Sequence, residues 1–176
     1  MLNIKLGDVV DRFVQVVPAA GSRADQYVQT IAQSIQQQQL PVHLTREDAS
    51  AGFMRGLRGK TREFLVAVPE NPGLKDFSIL HFGVPAGSNL AVGWYLTETG
   101  RGQKNLMSAI HPVTGAAASL SDRFRNLDLF DMADLNAILS SMHEFAVMET
   151  VYAIAKQVGF ARERIDGRSV GFFGIG

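Results

Sequence analysis

The chain reads as an α+β protein in which a curved antiparallel sheet of about four strands packs on one long helix. Three observations lead to this reading. Phe64–Val68, Phe77–Val84 and Leu90–Thr97 are runs rich in β-branched, aromatic and aliphatic residues, as strands are. They are joined by Pro69-Glu70-Asn71-Pro72-Gly73 and Pro85-Ala86-Gly87-Ser88-Asn89, links that carry the residues tight turns need, and strands joined so closely pair antiparallel. From Asp131 to about Val158 the apolar residues then recur at helical spacing.

Residues 4 to 17 fit two elements. Val9, Val10, Phe13, Val14 and Val17 recur at helical spacing, while the β-branched residues favour a strand; the spacing tips the reading to helix. Pro18-Ala19-Ala20-Gly21 ends that element, and Ser22 is placed to cap the next. A helix is expected over about 23–38, with Tyr27, Val28, Ile31, Ala32 and Ile35 on its apolar face and Gln29, Gln33 and Gln36 toward water. Pro41 stops it, Val42–Thr45 makes a short strand, and a loop over 47–62 leads to the first strong strand.

In the strand Leu90–Thr97, alternation puts Leu90, Val92, Trp94 and Leu96 on the core face and Ala91, Gly93, Tyr95 and Thr97 on the other. Residues 99–127 form a long irregular connection. Asp131 is placed to cap the long helix, with Leu135, Ile138, Met142, Phe145 and Tyr152 on one stripe. A second stripe holds Leu139, Ala146, Val147, Val151, Ile154 and Val158, so the helix is expected to be largely buried, and Gly159 ends it. On this reading Phe145→Ala costs about 3–5 kcal/mol. The apolar tail at 165–176 must also be covered, preferentially by its own chain.

The resulting order is a first element, a helix, four antiparallel strands and a long C-terminal helix, with both helices on one face of the sheet. By analogy of topology it resembles the helix-grip and TATA-binding-protein-like folds. Such scaffolds host binding modules and enzymes alike, so the order implies no activity. The 176 residues form one domain, long enough to bury roughly 70% of the unfolded surface without disulfides or metals.

Composition narrows the function classes. Basic and acidic residues balance at 17 each, so no global charge draws the chain to nucleic acid or to an anionic membrane, and self-repulsion is weak. The chain has no cysteine, hence no thiolate nucleophile and no sulfur-rich zinc site, in keeping with a reducing compartment. Charged residues interrupt the apolar N-terminal stretch, and no window reaches the ~18 apolar residues of a membrane span. The expectation is a soluble cytoplasmic protein.

Candidate sites are few. His43, His81, His111 and His143 are scattered over strands, a loop and a helix, without the paired spacing of a metal site, so no metal or other cofactor is expected. Arg55, Arg58, Lys60 and Arg62 lie on a glycine-bearing segment that could wrap phosphates, although the glycine order is not that of a Walker loop. Glu149 sits among apolar residues of the long helix, and a buried carboxylate there could move protons. Tyr95, with small Gly93 beside it, could line a groove. No nucleophile or second acid completes a catalytic set. The expected function is a non-enzymatic binding or assembly domain that self-associates or recruits a protein partner. The alternatives are nucleic-acid or phosphate binding through Arg55–Arg62, and a small-molecule pocket between sheet and helix using Tyr95 and Glu149.

Overall fold

The computed structural model describes residues 2–4, 9–51, 61–98 and 127–160. Their elements are β1 (Leu2–Ile4), β2 (Val9–Val17), α1 (Ala24–Gln37), β3 (Val42–Ala51), β4 (Thr61–Pro69), β5 (Phe77–Ala86), β6 (Asn89–Glu98) and α2 (129–157). The apolar tail and, but for Leu127, the irregular connection at 99–127 lie outside the described residues.

One sheet runs in the order β1-β3-β4-β5-β6-β2. Five of its strands pair antiparallel, and short β1 joins β3 in parallel. The chain is α+β, as expected, with a larger sheet. The added antiparallel strand is β2, which corrects the helical reading of 4–17. Its partner is β6, with Phe13 opposite Trp94 and Val17 opposite Leu90. β-Branched side chains fit that pleated surface better than a helix. A bulge between Val9 and Asp11 turns both Val10 and Asp11 inward, and this broken alternation imitates helical spacing. Strand β3 is also longer than the expected Val42–Thr45, because its polar half pairs with β4 and places Arg46 2.9 Å from Glu63.

Both helices cover the face that carries Phe13, Leu65, Ile79, Val92, Trp94 and Leu96. Helix α1 connects β2 at one edge to β3 near the other, burying Tyr27, Ile31 and Ile35 as its stripe predicts. Ser22 does not cap it; Gly21–Arg23 is a short 3₁₀ turn, and α1 has no side-chain cap. The turn is pinned to the β5–β6 hairpin, where the Gly21 amide donates to the Ser88 carbonyl at 2.8 Å. A Cβ on Gly21 would lie 2.8 Å from the Gly87 carbonyl oxygen, so this contact needs glycine.

Helix α2 starts earlier than expected. Asp128 is its cap, accepting from the Asp131 amide at 2.8 Å. Asp131 and Asp134 instead accept from the Asn71 side-chain amide at 3.1 and 3.0 Å, tying the first turn of the helix to the β4–β5 connection. Within α2, Met142–Met148 widens into a π-helix. The reason lies in the burial pattern. Buried pairs recur every four residues at 138/139, 142/143, 146/147, 150/151 and 154/155. At about 3.6 residues per turn each such step overshoots by roughly 40°, so a straight α-helix would carry the stripe off the sheet. A wider π turn restores the register.

The same widening corrects the placement of Phe145, which is exposed, while Ala146 and Val147 fill the core. The Phe145 carbonyl accepts from the Ser34 hydroxyl of α1 at 3.1 Å. Phe145→Ala is therefore expected to change stability by no more than about 0.5 kcal/mol, as exposed substitutions usually do. Urea unfolding of the variant checks this.

Candidate functional site

The interior holds an unusual set of polar groups. The Trp94 indole N–H donates to Nδ1 of His143 at 3.3 Å, and the Phe13 ring meets that imidazole edge-on at 4.7 Å. A histidine that accepts at Nδ1 is neutral and carries its proton on Nε2. His81 lies across from Trp94 on β5 and is fully buried, and neither of its ring nitrogens has a hydrogen-bond partner among the described residues. Burial, and to a lesser degree charge repulsion from His143, pushes its pKa down to about 3. Burial also lowers the pKa of His143, against an opposing pull from Glu144. The Tyr27 hydroxyl is likewise buried without a partner among the described residues, and burial raises its pKa. These groups are uncharged at neutral pH and sealed inside the core.

The candidate residues from sequence that are described, Arg62, Tyr95 and Glu149, do not meet in one place. Arg55, Arg58 and Lys60 lie outside the described residues. Arg62 is exposed on β4, opposite Ala49. Tyr95 is on the sheet face away from the helices, its ring stacked on Phe82 at 5.1 Å, with Phe64 edge-on to Phe82 at 6.1 Å. The space beside Gly93 is occupied: a Cβ there would press on the Phe13 carbonyl oxygen and lie 3.1 Å from the Phe82 ring. Glu149 is exposed on α2, which packs on the opposite face. A cleft of about 260 Å³ lies at the start of α2, lined by Leu40, Pro41, Asn71, Asp134, Ala137, Ile138 and Ser141, and includes neither Tyr95 nor Glu149. Among the described residues no group of three or more His, Asp or Glu is placed to hold a metal ion. No described helix is long and apolar enough to cross a membrane.

The surface carries features that sequence reading missed. Leu129 and Phe130 project from the first turn of α2, and Val14 and Val16 from β2, all exposed. Strand β2 is the last in the sheet order, so one of its sides has no strand beside it among the described residues. Two of its backbone groups are satisfied by neighbouring side chains. The Gln15 side-chain Nε2 donates to the Val16 carbonyl at 3.2 Å, and the Arg12 backbone N–H donates to Oδ1 of Asp11 at 2.7 Å. Once residues 12 to 17 are read with a period of two, Arg12, Val14 and Val16 fall on the face away from the helices, and this was the signal available in sequence.

Comparison with known protein families, with curated proteins and with solved structures finds no match for the chain.

Proposed function

We propose that the chain is a non-enzymatic binding or assembly domain of the cytoplasm that associates with copies of itself. The observation that carries this reading is the set of large apolar side chains left outside the core. Leu129 and Phe130 are 79% and 78% exposed, Phe145 58%, and Val14 and Val16 48% each. Exposed apolar side chains gathered on a few elements are what protein partners cover. Balanced charge adds no long-range repulsion between copies. The groups with altered acidity, His81, His143 and Tyr27, lie in the core and do not line the cleft, which suits binding better than catalysis.

Size-exclusion chromatography with light scattering tests the reading. The expected mass exceeds the 19.2 kDa of one chain at micromolar concentration and falls on dilution. A strict monomer over that range would overturn it.

A further inference from the structure

The side of β2 that has no strand beside it among the described residues has a definite hydrogen-bonding pattern. In an antiparallel ladder each residue turns its N–H and C=O together, either toward the partner strand or away from it, and the two directions alternate. The Val16 carbonyl held by Gln15 and the Arg12 amide held by Asp11 belong to the set turned away from β6. Val14 lies midway between them and belongs to the same set. Side chains thus take the Arg12 N–H and the Val16 C=O. The alternation leaves the Val14 N–H, the Val14 C=O, the Val16 N–H and the Arg12 C=O facing outward.

From this we infer that two copies of the chain pair β2 to β2, antiparallel, about a two-fold axis at Val14, making one continuous sheet. The inference rests on the assembly reading above and names its surface. The symmetry uses the open groups in reciprocal pairs. Each Val14 N–H donates to the Val14 carbonyl of the second copy, and each Val16 N–H donates to the Arg12 carbonyl of the second copy. Side chains agree with this register. A two-fold axis normal to the sheet keeps the helices of both copies on one face, and Arg12, Val14 and Val16 on the other. Val14 then meets Val14, and Arg12 faces Val16, so the cations stand at opposite ends of the contact instead of opposing each other. A register centred on Arg12 would set like charges directly opposite, which is unfavourable. Edge strands protected against pairing usually carry bulges, inward charges or proline; in β2 the bulge and the inward Asp11 sit at its start, and residues 13–17 hold no charge and no proline.

Cysteine cross-linking tests the pairing, because the natural chain has no cysteine and a covalent dimer can form only through the introduced thiol. In this register the two Val14 Cα atoms are about 5.5 Å apart, within the span a disulfide accepts. Val14→Cys should give, under mild oxidation, a band at twice the mass of one chain. Val16→Cys, whose thiols lie farther apart, should stay largely monomeric on denaturing gels. Val14→Pro removes an outward N–H that is turned away from β6 and bonds none of the described residues, so it should keep the melting temperature of a dilute sample and lose the dimer. Val16→Lys should act in the same direction. If light scattering shows a dimer but Val14→Cys does not cross-link, the chain assembles through another surface and the β2 pairing is wrong. Equal cross-linking by both cysteine variants also overturns the register. A protein that is monomeric throughout, with no cross-link, overturns both the pairing and the assembly reading.

Discussion

Trp94→Ala should lower the free energy of unfolding by about 3–5 kcal/mol, because it removes a large, fully buried side chain and leaves a cavity the surrounding core cannot fill. A further loss of about 1–3 kcal/mol follows from chemistry as well as volume. The indole N–H donates to His143, so the alanine variant leaves Nδ1 of a buried imidazole without its donor. Trp94 also stacks near Phe13, at 6.4 Å between ring centres, and so joins β6, β2 and the π-helical part of α2 at one point. Trp94→Phe separates the two contributions: it keeps most of the volume and removes only the hydrogen bond. The expected order of stability in urea unfolding is wild type, then Trp94→Phe, then Trp94→Ala. If phenylalanine were as damaging as alanine, volume would be irrelevant and the packing account would be wrong.

Acid should destabilise the fold well before its carboxylates are protonated. In the unfolded chain His81 titrates near its ordinary value of 6.5, whereas in the folded chain burial holds it near 3. Between these pH values the unfolded state binds more protons, so stability rises with pH across the window and is lost as the pH falls. One unit is worth about 1.36 kcal/mol, so His81 removes about 2 kcal/mol by pH 5 and about 4–5 kcal/mol by pH 3. His143 acts in the same sense. His81→Leu isolates the effect. An apolar side chain there leaves no ring nitrogen unsatisfied, so the variant should match or exceed wild-type stability at pH 7 and lose far less between pH 6.5 and 4.5. Urea midpoints at several pH values measure this. Parallel pH profiles for variant and wild type would show that His81 is not the titrating group.

The sequence made one side of the molecule easy to read and the other hard, for physical reasons. The face of β6 followed directly from alternation, because Leu90, Val92, Trp94 and Leu96 belong to the apolar core while the residues between them do not. Residues 9–17 misled because a bulge turns Val10 and Asp11 inward together, and because Val14 and Val16 are apolar yet exposed, so apolarity no longer marks the buried face. Phe145 misled for a different reason. A stripe drawn at α-helical spacing reaches it, but the π turn advances the helix past it to Ala146 and Val147. Fully apolar pairs recur only at 138/139, 146/147 and 154/155, with His143 and Thr150 buried between them, so apolarity alone did not mark that turn. His81 hid in a strand that is apolar on successive residues, from Ile79 to Phe82, a pattern that belongs to a strand covered on both faces. The candidate site depended on these same places. Open edges, exposed valines and unpaired backbone groups are properties of topology, which local patterning does not carry.

Amide hydrogen exchange along β2 addresses the assembly proposal most directly. In concentrated samples the Val14 and Val16 amides, which face away from β6, should exchange slowly, and dilution should speed them while the amides of Phe13 and Val17 stay protected by β6. Val14 and Val16 amides that exchange fast at every concentration would contradict pairing of β2 with a second copy.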